Sequence, residues 1–192
     1  MAKSAAQTLS SHDRALEWAR QAAIVIGASL FVALCARFFL QLHSTPVPLT
    51  IQNFAVLLVG LTLGSRRGFA ALALYLAEGV AGMPVFSPTG PGGLAQLLGP
   101  TGGYLLAYPF VAGLAGWIME RGKKSFWRSV SAGLLAEILL FASGVCWLAV
   151  LTQSLSLAVN WGLYWFIFAE VIKVMLAAAI ASGWQGAYKV RT

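Results

Sequence analysis

Charge is what this sequence has least of. Of its 192 residues only 10% are Asp, Glu, Lys or Arg, while 59% are hydrophobic and the mean hydropathy is +0.78. A soluble domain would carry about a quarter charged residues, so the composition indicates a membrane protein. The scarcity extends to side chains that carry most catalysis. Asp13 is the sole aspartate, His12 and His43 are the sole histidines, and Cys35 and Cys146 stand far apart in apolar stretches. A metal site or a redox dithiol is therefore not expected. Both histidines fall in tail or loop segments, which argues against a serine–histidine hydrolase in the membrane. The segment Gly122-Lys123-Lys124-Ser125 comes nearest to a phosphate-binding loop, but Trp117 stands where the pattern needs Gly and Lys124 where it needs Ser or Thr. The expectation is a chain that is not an enzyme and has no ATPase, metal or cofactor of its own.

What is present is apolar length. A membrane helix takes about 20 apolar residues, and segments at about 21–42, 50–64, 68–83, 103–119, 129–151 and 161–185 suit that role. The second and third are short and are joined by the polar turn Ser65-Arg66-Arg67-Gly68. The expected fold is an all-α integral membrane protein of six transmembrane helices. Residues 1–20 form a cytoplasmic N-terminal segment, 21–185 the six-helix domain with a lid-like outer loop at 84–102, and 186–192 a cytoplasmic tail. The first apolar run is too long for a signal peptide and has no small-x-small cleavage site.

The net charge of +7 invites a nucleic-acid reading until the cations are placed. Lys3, Arg14, Arg20, Arg66, Arg67, Arg121, Lys123, Lys124, Arg128, Lys189 and Arg191 all fall in segments that alternate to one side, and the opposite loops have none. The positive-inside rule then puts both termini in the cytoplasm, with the opposite loops facing outward. Nucleic acid drops out as a partner, and the lipid bilayer takes its place.

Arg37, Lys173, Glu78, Glu137 and Glu170 lie inside the apolar segments, where an ionisable group costs at least about 2.5 kcal/mol and usually meets a partner or a cavity. Arg37 is close enough to the outer end of its segment to snorkel. Glu170 and Lys173 are three residues apart, on one helical face, and they are the leading candidates for ligand contact. An acid beside an ammonium offers acceptors and donors together, which suits a neutral polar group such as a ureide or amide. Residues 82–103 carry seven glycines and four prolines without a charge, with Met83, Val85, Phe86 and Leu94 as apolar anchors. An ordered lid over a preformed external pocket is expected there. Gly102 and Gly103 would let backbone approach a ligand, with Thr101 and the Tyr104 hydroxyl adding hydrogen bonds. Ala15, Ala19, Ala23 and Gly27 recur every four residues and make a smooth ridge for close helix contact.

Four stretches together are similar to a known family. They are Pro46-Val47-Pro48-Leu49-Thr50-Ile51-Gln52; Tyr75-Leu76-Ala77-Glu78-Gly79 followed by Gly82-Met83-Pro84-Val85-Phe86; Leu98-Gly99-Pro100-Thr101-Gly102-Gly103-Tyr104-Leu105; and Glu170-Val171-Ile172-Lys173. They resemble the BioY substrate-binding (S) components of energy-coupling factor (ECF) vitamin transporters. The resemblance implies a six-helix S component that captures biotin outside and works with a transmembrane coupling subunit and two cytoplasmic ATPases. It gives the Ala15/Ala19/Ala23/Gly27 ridge a use, as the surface that docks on the coupling subunit. It also implies a biotin site that includes Gln52, Thr101, Gly102, Gly103, Tyr104, Glu170 and Lys173, with Tyr164 or Trp165 against the apolar part of the ligand. In the family the last helix usually reads Pro-Gly-Asp-x-x-Lys; here those positions are Phe168, Ala169, Glu170 and Lys173, so the helix should run unbroken through 168–169. An S component for another vitamin, or an intramembrane enzyme using Glu137 or Glu170 as general base, are the alternatives.

Overall fold

The computed structural model describes the backbone of residues 2–189 and the side chains of residues 13–183. His12, Lys3, Lys189 and Arg191 therefore lie outside the described side chains. The described chain is mostly helical, as an apolar sequence must be where water cannot satisfy its backbone groups. In order come α1 (Ala2–Cys35), β1 (Phe39–Leu40), β2 (Leu49–Thr50), α2 (Gln52–Leu63), α3 (Ser65–Val80), α4 (Gly93–Leu98), α5 (Gly102–Glu120), α6 (Phe126–Thr152), α7 (Leu155–Val159), a π-helical turn (Asn160–Tyr164) and α8 (Ile167–Lys189). Among the described residues, three helical stretches are long and apolar enough to cross a membrane: Asp13–Cys35, Gly102–Glu120 and Phe126–Thr152. A fourth results if Leu155–Tyr164 and Ile167–Gly183, bent by 42°, count as one span.

α5 is the central helix, packed most extensively on α6 and α3 and then on α2, while α8 packs on α6 and α2. Small residues set these approaches. A methyl group on Gly60 would stand 2.5 Å from the Ala112 carbonyl oxygen, and one on Gly116 would stand 2.3 Å from the backbone of Gly64 and Ser65. Backbone cannot swing aside as a side chain does. Gly116→Ala is therefore expected to cost about 1–3 kcal/mol, read as a drop of several degrees in the unfolding temperature of the detergent-solubilised protein.

Three segment ends differ from the sequence expectation. The polar turn expected at Ser65-Arg66-Arg67-Gly68 is instead the first turn of α3, and Gly64 alone, at φ 85°, joins it to α2. The first helix ends at Cys35, not near 42, because Phe39–Leu40 pairs antiparallel with Leu49–Thr50, in the register Phe39↔Thr50 and Leu40↔Leu49. The ladder, with Pro46 and Pro48 in its connection, satisfies backbone groups that a continued helix would otherwise hold. The last segment does not run unbroken from 161. It is interrupted by the π-helical turn, and α8 starts only at Ile167. The carbonyls loosened there find new donors: the Tyr104 hydroxyl donates to Gly162 O at 2.7 Å and the Thr45 hydroxyl to Trp161 O at 2.7 Å. Phe168 and Ala169 do lie within continuous helix, in the first turn of α8; the break falls just before them.

Candidate binding site

Three helix beginnings converge beneath the loop that precedes α5. The start of α2 supplies Gln52 and Asn53, the start of α5 supplies Tyr104, Leu105 and Tyr108, and the start of α8 supplies Glu170. Ser87, Gln96 and Thr101 close the space from the loop side, and Phe141 and Phe166 line its apolar part. The water-accessible cavity is about 40 Å³. One water needs some 10–15 Å³ measured this way, whereas ligand pockets run to about 300–1,000 Å³. The expectation of a preformed pocket thus meets a correction: in this conformation the site is nearly closed, because the loop and the aromatic side chains fill it.

Glu170 is the centre of the polar wall. It is buried in the first turn of α8, where the helix dipole favours a carboxylate. Its Oε1 accepts from Lys173 Nζ at 2.7 Å and from Asn53 Nδ2 at 3.1 Å. Its Oε2 is buried and has no hydrogen-bond partner. Asn53 is held from its other end by the Tyr108 hydroxyl, which donates to Oδ1 at 2.7 Å. Lys173 Nζ also donates to the Thr50 carbonyl at 2.5 Å, so the short β ladder positions one acceptor for the ammonium. Nearby, Gln52 Nε2 donates to the Tyr75 hydroxyl at 2.8 Å, which donates to Val85 O at 3.2 Å and so ties α2 and α3 to the loop.

The loop is ordered by its own contacts. Gln96 Nε2 donates to Ser87 O at 3.2 Å and its Oε1 accepts from Gly92 N at 3.1 Å. The Phe86 ring lies on Gly79, where a methyl group would stand 2.0 Å from it, and meets Tyr75 edge to face. Gly82 and Gly92 turn the chain at φ 88° and 73°, conformations that favour glycine.

Of the residues expected at the site, Gln52, Thr101, Tyr104 and Glu170 are brought to one cavity. Lys173 is not on the cavity wall; it grips Glu170 and Thr50. Gly102 and Gly103 also stand off the wall. They are close-packed, Gly102 against the Leu97 carbonyl and Gly103 against Trp147, so they fit helices together and present no backbone to the cavity. Tyr164 and Trp165 are exposed and face away; the π-helical turn rotates the chain so that Phe166 takes the inward place. Asn53, Tyr108, Ser87 and Gln96 were not singled out in the sequence.

The other charges of the apolar segments have separate places. Glu78 accepts from the buried Ser29 hydroxyl at 2.5 Å and joins α3 to α1. Glu137 is buried within electrostatic reach of Glu170 and Lys173, but neither of its oxygens has a hydrogen-bond partner. Arg37 lies exposed beyond the end of α1. Ala15, Ala19, Ala23 and Gly27 are all exposed, and a methyl group on Gly27 would meet nothing within 4 Å.

Chemically the cavity can hold N–H donors against Glu170 and an apolar body against Phe141 and Phe166. The hydroxyls of Tyr104 and Tyr108 already donate to protein acceptors, and no nucleophile–base pair faces the cavity among the described residues.

Known proteins share this sequence and shape. The probable biotin transporter BioY of Pyrococcus horikoshii is 37% identical over 159 residues, covering 82% of this chain and 93% of that protein. The biotin transporter BioY of Thermotoga maritima is 34% identical over 158 residues, covering 82% and 92%. The crystal structure at 2.1 Å of the S-component for biotin from an ECF-type ABC transporter superposes with a TM-score of 0.79 at 24% identity, covering 88% of this chain and 93% of that one. The BioY family as a whole is matched over residues 3–190, and this chain belongs to it.

Proposed function

We propose that this protein captures biotin outside the cell and carries it across the membrane as the S component of an ECF transporter. The observation that carries the reading is Glu170: a buried carboxylate at the cavity wall, pinned through Oε1 and unpartnered at Oε2. An acceptor fixed in that way suits the N–H donors of a ureido group, since a buried charge left half satisfied is costly until a ligand completes it. Lys173, off the cavity wall, holds the acid in place through Oε1 and is itself held by the Thr50 carbonyl. The thioether ring and aliphatic chain would lie against Phe141, Phe166 and Leu105, with Gln52, Thr101 and Tyr104 around them. Because the cavity is small, capture requires the loop at 84–102 to swing outward and close again over the ligand, with Ser87 and Gln96 as its inner face.

The helices of twelve residues or more, α1, α2, α3, α5, α6 and α8, would be the six spans, with both termini in the cytoplasm and the basic turns beside them. α2 and α3 are short for this, about 18 and 24 Å of helix, and span with the aid of the ladder and loop at their outer ends. Energy would come from two ATPases through a transmembrane coupling subunit, docked on the exposed Ala15/Ala19/Ala23/Gly27 face of α1 in a bacterial plasma membrane.

Equilibrium binding of labelled biotin to the purified protein tests the reading. Saturable binding is expected, undiminished by excess riboflavin or thiamine. No saturable uptake of label, or displacement by another vitamin, sinks it.

A further inference from the structure

At the opposite end of α3 and α5 from the cavity, the surface between these helices carries an open groove of about 530 Å³. Phe69 of α3 and Phe110, Leu114 and Trp117 of α5 form its walls, and Ser65 and Arg66 close one end. Phe110, Leu114 and Trp117 follow at three- and four-residue spacing and share a face of α5, about 10 Å long. Phe69 and Phe110 meet edge to face, with ring centres 5.4 Å apart, and Gly113 leaves the floor open beside Phe69.

The groove is apolar along its length and cationic at one end. Arg66 lines that end, and the Arg121 guanidinium lies 3.8 Å from the centre of the Trp117 ring. Glu120 stands there too, but both its oxygens are engaged by Ser65, which donates from N and from Oγ at 2.7 Å each. The two neighbouring arginines of α3 diverge: Arg67 turns to α1 and donates to Gln21 at 2.6 Å, while Arg66 faces α5. The groove is thus on the other flank of α3 from α1 and its exposed ridge. Cations at the helix ends, a tryptophan next, then phenylalanines: this order matches the gradient from headgroup to acyl chain in one leaflet of a bilayer.

We infer that this groove binds an anionic phospholipid, its phosphate between Arg66 and Arg121 and an acyl chain along Phe69, Phe110 and Leu114. The inference rests on the proposed membrane location and is independent of the biotin reading. Native mass spectrometry of the full chain released from detergent, with phosphatidylglycerol or phosphatidylcholine added, tests it. The wild type should retain phosphatidylglycerol roughly tenfold better, since each arginine near an anionic headgroup adds a sizeable attraction. The double variant Arg66→Gln/Arg121→Gln should lose that preference, and Leu114→Trp should lose retention of either lipid by filling the groove. Both variants change exposed or groove positions, so unfolding temperature without lipid should stay put. Labelled-biotin binding on the same preparations keeps failure of the biotin reading distinguishable. Equal retention of the two lipids by wild type, or an unchanged preference in the double variant, overturns the inference. So does a double variant that keeps its lipid preference but no longer co-purifies with a coupling subunit, because the groove would then be a protein-docking surface.

Discussion

Replacing Lys173 by Met is expected to weaken biotin binding by about a hundredfold or more, and Glu170→Gln by a comparable factor. Glu170 is 3% exposed and Lys173 is the cation bonded to it, at 2.7 Å. Removing one partner of a buried ion pair costs about 3–5 kcal/mol, because the other charge is left uncompensated. That cost falls first on the fold; affinity drops by the part incurred when the displaced acid must be set again for the ligand, and about 2.7 kcal/mol of such reorganisation is a hundredfold. Met keeps much of the length of lysine but strands both Glu170 and the Thr50 carbonyl, so the acid would take a proton or turn away from the ligand. Gln at 170 keeps the volume and turns one acceptor into a donor. Either its amide faces Lys173 and Asn53, which have donors there already, or it faces the ligand's N–H groups. Should Lys173→Met fail to fold, Glu170→Gln still decides, since the charge it strands is the less buried of the two, Lys173 at 13% exposure against 3% for Glu170, and that ammonium keeps the Thr50 carbonyl. Normal binding by both variants removes this site from consideration.

This pair was legible in the sequence because charge is so rare in apolar segments that each instance demands a partner. Asn53 was not. A neutral amide next to Gln52 carries no such signal, and only the convergence of α2, α5 and α8 reveals it between Tyr108 and Glu170. Tyr108 in turn reads like any core aromatic. Tyr164 and Trp165 were misplaced for a different reason: assigning them to the ligand assumed a regular helical register through the last segment, and a π-helical turn changes the facing of every residue after it. The signal for that turn lies in the hydroxyls of Tyr104 and Thr45, more than fifty residues away in sequence.

Helix existence followed from apolar runs, and helix ends did not. The 12 residues of α2 and 16 of α3 make less than the roughly 30 Å of a bilayer core, which is why length and apolarity mark only three or four spans where the sequence suggested six. What extends the cavity-side ends of these helices is a two-residue ladder and a glycine-rich loop. Neither has a hydropathy signature, because both are fixed by backbone pairing and by side chains from distant segments.

The glycines of that loop support the second large prediction: Gly102→Val is expected to reduce biotin binding at least about tenfold while leaving most of the helical packing intact. A Cβ at Gly102 would stand 1.8 Å from the Leu97 carbonyl oxygen and 3.1 Å from Trp147 Nε1. Backbone at such a distance must move, and overpacking of even ordinary cores costs about 1–3 kcal/mol. What moves is α4, since α5 is anchored on three neighbours and α4 touches little besides α5 and α3. Gln96 goes with it, together with the bond from Trp147 Nε1 to Gly99 O at 2.9 Å, so the inner face of the proposed lid is lost. A bulky residue at Gly27 should do the reverse. A methyl group there meets nothing within 4 Å, so Gly27→Leu should bind biotin as wild type does, yet support less uptake in cells that also express the coupling subunit and ATPases. Measured side by side, binding lost in the first variant and uptake alone lost in the second would separate a glycine that shapes the lid from one that leaves room for a partner. Wild-type binding by Gly102→Val would show that the loop accommodates the clash without reaching the cavity, and the lid assignment would fall.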